Sequence, residues 1–411
     1  MKYQKKKKQN QFNTKFGVIG YNMFTYEEAL EASKNYFNGD SLAAEVFLGK
    51  YALRNGKGEL LESTPTDMHK RLAKEFARIE ASYPNPLSEQ EIFDLFDKFK
   101  YIIPQGSPMA GIGNPYQVTS LSNCFVIDSP QDSYSGIMYS DSQLANLMKR
   151  RAGVGLDISE LRPKDMLVKN TAGSTTGIGT FMERFSNTTR EVGQSGRRGA
   201  NMQTISIHHP EIETFLNIKK DLTKVTGANI SVRISDEFMN AVESDSEYEQ
   251  RWPVDSKTPQ ISKMVKAKLI WQQIIDNAWL TAEPGVLFWD TVLRNTTAEA
   301  YASKGFKHIS TNPCSELVLS AFDSCRLLLL NLNSYVVTPY TSSPRFDFEL
   351  FSKHTIIAQR FMDDVVDLEL ECVDKIIAKI ISDPEPEEIK KIELDLWKKI
   401  KINCKTGAEL G

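Results

Sequence analysis

From residue 104 onward, runs that read as strands alternate with segments that read as helices, and this alternation limits what the chain can fold into more than any other feature. Strands are expected at 120–127, 203–207, 229–234 and 327–337, and helices at 135–151 and 179–192. Apolar and β-branched runs bounded by Gly, Pro and Asn mark the former, and apolar spacings of three and four mark the latter. Strands separated by helices favour an α/β fold. The front of the chain differs, with helices expected at 26–38, 41–53, 66–83 and 89–100. Met68, Leu72, Phe76 and Ile79 form an apolar stripe, Asp40 is placed to cap, and Ser88 with Glu91 makes a capping box. Beyond residue 347 helices return at 347–373 and 387–402, separated by Pro384-Glu385-Pro386. The expected organisation is a disordered basic tail at 1–25, a helical domain at 26–103 and an α/β domain at 104–411.

Composition excludes several functions. The formal net charge of -3 gives no global reason to expect a nucleic-acid or membrane partner. The one charge run, Lys5 to Lys8, reads as a solvated tail. No stretch approaches the roughly 20 apolar residues of a membrane span. The apolar run Leu327 to Leu330 is cut by Asn331 and reads as a buried strand. Five cysteines do not make a secreted disulfide framework, so a reducing cytoplasm is the expected setting. No CxxC is present and His208-His209 has no spaced partner, so no metal site is expected.

The chemistry concentrates in Asn312-Pro313-Cys314-Ser315-Glu316, with Cys325 after it and Cys124 far upstream in Ser122-Asn123-Cys124-Phe125-Val126. Pro313 holds Asn312 extended, so Asn312, Cys314 and Glu316 can project from one tight loop. An amide can bond a hydroxyl and a carboxylate can exchange a proton. The alternative is an ordinary Asn-Pro turn around a buried cysteine. Cys124 and Cys325 sit in strand-like segments and can form a disulfide if those strands are neighbours. Cys372 and Cys404 read as structural.

Gly106-Ser107-Pro108-Met109, Ser120 to Val126, Asn312 to Glu316 and Asp323-Ser324-Cys325-Arg326-Leu327 together resemble the large subunit of ribonucleotide reductase. Arg150 to Leu156 and Gly196 to Ala200 are similar to further family segments. The resemblance implies roughly the first half of a ten-stranded α/β barrel, with a radical cysteine on a loop reaching its middle. It implies that Cys314 carries a thiyl radical that takes hydrogen from C3′ of a ribonucleotide. Cys124 and Cys325 become the dithiol that reduces C2′, Glu316 the base at the 3′-hydroxyl, and Asn312 a ligand of the ribose hydroxyls. Ser107, Ser122 and Asn123 become contacts of substrate ribose or diphosphate.

Asp132-Ser133 and the loops at 169–177 and 221–229 resemble the family's effector site, making Asp132, Ser133, Lys169 and Lys224 expected contacts of a nucleoside triphosphate. The helices at 135–151 and 179–192 resemble those of the family's dimer interface. The front of the chain is too short for an ATP-cone, so no overall-activity site is expected. The resemblance further implies a complementary chain carrying the rest of the barrel, and thioredoxin or glutaredoxin as reductant. The segments at 149–161 and 196–200 look more like the group whose radical comes from a dimetal small subunit, with no cofactor bound directly by this chain, and a cobalamin-dependent reductase is the alternative radical source. A fragment that binds nucleotide or dimerises without turnover is the alternative.

Overall fold

A computed structural model describes residues 23–194 and 197–407. The Lys5 to Lys8 run and Gly196 lie outside the described residues.

The front of the chain forms helices Tyr26–Tyr36, Ser41–Lys50, Pro65–Glu80 and Glu89–Phe96. Each starts where a side chain satisfies backbone N–H groups left free at a helix end. Thr25 pairs with Glu28, Asp40 accepts from Ala43, Thr64 pairs with Asp67 ahead of Pro65, and Ser88 pairs with Glu91. The stripe Met68, Leu72, Phe76 and Ile79 is buried in a core with Phe47, Phe96 and Leu121. That core also takes Ala358, Phe361, Val365 and Leu368 from the helix Phe348–Ser382. The same helix runs on to place Val373, Ile376 and Ile380 in a second core beneath the main sheet.

The main sheet has six strands in the order Gly285–Phe288, Asn229–Ile234, Asn201–Ser206, Gly153–Asp157, Cys124–Val126 and Ser324–Cys325. The first five are parallel and the last is antiparallel to its neighbour. The strands at 124–126, 153–157 and 201–206 are buried throughout, as expected of parallel strands covered on both faces. Helices Tyr134–Met148, Ile178–Glu191, Ile212–Asn217 and Ala267–Thr281 contribute to the core on one side. Trp397 of the final helix Glu387–Gly407 reaches Phe125 edge-on, with ring centroids 5.9 Å apart. The sheet is a half-barrel, and the α/β reading holds.

The 327–337 segment is not one buried strand. It divides into a short strand Leu328–Leu330, a 3-10 turn Leu332–Tyr335 and the pair Val336–Val337. Leu328–Leu330 leaves the main sheet to pair antiparallel with Ile102–Pro104, and Leu329 is 43% exposed. The helix expected at 89–100 ends at Phe96, because Lys98 and Phe99 take positive φ. That turn sets the Phe99 ring against Tyr36, Phe37 and His69. Among the described residues no helix is long and apolar enough to cross a membrane.

Candidate active site

The antiparallel pairing of Ser324–Cys325 with Cys124–Val126 sets Cys325 directly opposite Cys124. Opposed residues in such a pair have Cα atoms about 4.5–5.5 Å apart, inside the range a disulfide spans. Both side chains are reduced thiols and both are buried, Cys325 completely so. The hydrogen bond with Cys124, together with burial and the negative charge of Glu316, pushes the Cys325 thiol up. The adjacent Arg326 guanidinium opposes that shift. A protonated buried thiol is a poor nucleophile but keeps its hydrogen available for transfer.

Cys314 sits on the loop of a hairpin between strands His308–Thr311 and Val318–Ser320. The hairpin lies across the sheet where the strand at 153–157 carries glycine. A Cβ on Gly155 would fall 1.8 Å from the Thr311 carbonyl oxygen, and one on Gly153 would fall 2.9 Å from Pro313. Asn312 organises the loop from within. Its Oδ1 accepts the Leu317 N–H at 3.1 Å, and its carbonyl accepts the Ser315 N–H at 3.0 Å. Ser315 takes a positive φ of 67° to close the turn. Asn229 Nδ2 donates to the Pro313 carbonyl at 2.8 Å, tying the loop to the neighbouring strand. Asn312 is fully buried, and its Nδ2 has no partner among the described residues, so one amide donor is available there. Cys314 and Glu316 are exposed.

Asn123 links this region to Ser107. Its Oδ1 accepts the Ser107 N–H at 2.7 Å, and its own N–H donates to the Cys325 carbonyl at 2.8 Å. Gly106, at φ 58°, lets this happen, since a Cβ there would lie 2.0 Å from Asn123 Oδ1. The Ser107 hydroxyl donates to the Arg151 carbonyl at 3.4 Å. The Ser122 hydroxyl is engaged by Glu369 at 3.0 Å. The structure therefore gathers Cys124, Cys325, Asn123 and Ser107 into one hydrogen-bonded set, and the Cys314 loop crosses the same sheet.

Asp132, Ser133, Lys169 and Lys224 lie elsewhere. Asp132 receives the Arg162 N–H at 3.1 Å and its Nε at 2.6 Å, and Ser133 caps the helix Tyr134–Met148. Lys169 and Lys224 are exposed on their loops. Arg162 was not singled out from the sequence, because nothing in its spacing ties it to Asp132. Arg190, which donates to Thr226 at 2.7 Å on the second loop, was missed for the same reason. A cavity of about 600 Å³ opens beside Asp128, Asp157, Arg233 and Lys307. It lies at the carboxyl ends of the strands, whereas Cys124 and Gly153 mark their amino ends.

Residues 122–380 match the ribonucleotide reductase barrel domain. A vitamin B12-dependent ribonucleoside-diphosphate reductase of Thermoplasma acidophilum is 36% identical over 267 residues, covering 64% of this chain and 33% of that protein. A vitamin B12-dependent ribonucleoside-diphosphate reductase of Mycobacterium tuberculosis is 29% identical over 333 residues, 80% of this chain and 46% of its own length. The ribonucleoside-diphosphate reductase large subunit of Variola virus is 23% identical over 273 residues, 60% of this chain and 35% of its own length. The chain thus spans less than half of the length of each of these relatives. These relatives correct the expectation of a dimetal small subunit, since the two of higher identity are both vitamin B12-dependent. The segments that suggested the small subunit include the central strand Gly153–Asp157, which the sheet requires whatever the radical source.

Proposed function

Because this chain belongs to the ribonucleotide reductase family, we propose that it forms the thiol-bearing part of a ribonucleoside-diphosphate reductase that works with cobalamin. The observation that carries the reading is the register that opposes Cys124 and Cys325, beneath a hairpin that two glycines allow to cross the sheet. Cobalamin, when bound, supplies the chemistry that generates a radical. The exposure of Cys314 at its loop tip fits that role, since the thiol is reachable from outside the sheet.

Cys314 takes the hydrogen from C3′ of the ribose and later returns one. Glu316 accepts the 3′-hydroxyl proton, and the Asn312 Nδ2 donor holds a ribose hydroxyl. One of the buried thiols donates the proton with which the 2′-hydroxyl leaves as water. The pair then gives up two electrons and closes as a disulfide. Burial of the pair keeps water from the two thiols. Thioredoxin or glutaredoxin reopens the disulfide. Ser107 and Asn123 line the ribose or diphosphate, with Ser122 one step removed through its bond to Glu369. Asp132, Ser133, Lys169 and Lys224 form an effector surface together with Arg162, and the helices at 134–148 and 178–191 face a second copy of the chain.

Turnover is tested by supplying the rest of the barrel as a second chain, with adenosylcobalamin, a ribonucleoside diphosphate and dithiothreitol, and measuring deoxyribonucleotide. Product is expected to depend on cobalamin and to vanish with Cys314→Ser. Turnover that survives Cys314→Ser removes that thiol from its role.

A further inference from the structure

A fully buried carboxylate stands behind the two thiol strands. Glu369 lies on the helix Phe348–Ser382, where that helix passes from one hydrophobic core to the other. Its Oε1 accepts the Ser120 hydroxyl at 2.5 Å and the Ser122 hydroxyl at 3.0 Å, and its Oε2 accepts the Leu121 N–H at 2.5 Å. Ser120 Oγ in turn accepts the Ser122 N–H at 3.0 Å. One carboxylate therefore fixes three consecutive residues, and the next two are Asn123 and Cys124.

The charge on the other side comes from the second thiol strand. Arg326 follows Cys325, is fully buried, and acts electrostatically on both Glu369 and Cys325. It donates to Ser324 Oγ at 3.0 Å and to Cys404 Sγ at 2.8 Å. Burial pushes the Glu369 carboxyl up, while Arg326 and the three hydrogen bonds act to hold it ionised. Taking a carboxylate and a guanidinium out of water is costly, and an apolar pair would fill the same space at less cost. Placing them here sets opposite buried charges beside the strand of Cys124 and the strand of Cys325.

We propose that Glu369 is a positioning residue for the Cys124–Cys325 dithiol, holding the 120–122 segment so that Cys124 faces Cys325 at bonding range. This rests on the reading of those two cysteines as a redox pair. Glu369 touches neither sulfur and acts through Ser120, Leu121, Ser122 and Arg326.

Disulfide formation can be measured on this chain without turnover. The purified protein is equilibrated in glutathione buffers of graded ratio, quenched with an alkylating reagent and digested. The Cys124–Cys325 linked peptide is then counted by mass spectrometry. In the exchange the two thiols give two protons and two electrons to oxidised glutathione, which leaves as two glutathione thiols. The unsubstituted chain is expected to form the bond. Glu369→Gln and Glu369→Ala, at a temperature where circular dichroism shows them folded, are expected to need a buffer at least about tenfold more oxidising, with Ala worse than Gln. A purely structural role would lower the melting temperature and leave that midpoint in place, so an unchanged midpoint in the folded variants overturns the proposal. Should both variants fail to fold, the double substitution Ser120→Ala, Ser122→Ala keeps the charge and removes the hydroxyl links. A shifted midpoint there supports the proposal and an unchanged one overturns it. Absence of the Cys124–Cys325 bond in the unsubstituted chain at every ratio overturns the dithiol reading itself and this inference with it.

Discussion

Replacing Gly155 with alanine puts a methyl carbon 1.8 Å from the Thr311 carbonyl oxygen. An ordinary carbon–oxygen contact is about 3.3 Å or longer, so the hairpin must move by about 1.5 Å. The clashing atom is backbone, inside a paired hairpin anchored by Asn229 and Asn312, so no flexible side chain can absorb the shift. Overpacking of this kind costs about 1–3 kcal/mol where side chains yield, and the upper end applies here. Moving the Cys314 loop by an ångström would also cost on the order of a hundredfold in any reaction that depends on its placement. Urea unfolding followed by tryptophan fluorescence measures the first term. Gly49→Ala is the internal standard: it lies in a helix with nothing within 4 Å of the added Cβ, and is expected to stabilise by about 0.4–1 kcal/mol. If Gly155→Ala unfolds at the same urea concentration as the parent chain, the hairpin does not rest on that strand and the geometry argued for the Cys314 loop is wrong.

Asp364 gives a pH signature. Burial, and then Glu80, raise its carboxyl to about 8, well above its ordinary value of 3.8. The folded chain thus holds a proton there that the unfolded chain releases, so the contribution of Asp364 to stability is highest at low pH and falls as pH rises through about 4 to 8. At 1.36 kcal/mol per unit the ceiling on that fall is about 6 kcal/mol. Asp364→Asn should flatten the melting-temperature profile over this window, and an unaltered slope would place the titration elsewhere. Arg71 and Glu62 form a buried pair at 2.7 Å, so Arg71→Met should destabilise by about 3–5 kcal/mol in denaturant titration by leaving Glu62 unpaired; a loss under about 1 kcal/mol would mean that water already reaches the pair. Cys314→Ser changes an exposed loop tip, so the melting temperature and the Cys124–Cys325 redox midpoint should both stay put while any turnover is lost. A displaced midpoint would show that the loop shapes the dithiol.

Much of this was readable from local signals. The helices at the front begin where Thr25, Asp40, Thr64 and Ser88 reach their own N–H groups, an interaction confined to a few neighbouring residues. The strand Asn229–Ile234 was expected with the same bounds. The unread parts depend on distant partners. Leu328–Leu330 looks buried by composition, but its partner Ile102–Pro104 carries it out of the main sheet, where Leu329 meets solvent. The opposition of Cys124 and Cys325 is a matter of register between two short strands, and no spacing in the sequence sets it. Nothing local in the sequence singles out Glu369, because its partners Ser120 and Ser122 lie more than 240 residues upstream. The expectation of a dimetal radical source rested in part on 149–161, which contains the central strand Gly153–Asp157 that the sheet needs whatever the radical source.

The helix Phe348–Ser382 imposes an order on synthesis. Phe361 packs its ring 5.1 Å from Phe76 and 5.6 Å from Phe96, so the front core lacks part of its own wall until residues beyond 358 have been made. At about 5–20 residues per second, that wait lasts from about ten seconds to the better part of a minute after Phe96 is in place. During it, an aromatic surface stays open on a nascent chain whose half-barrel is still growing. The surface closes only when the long helix packs against it.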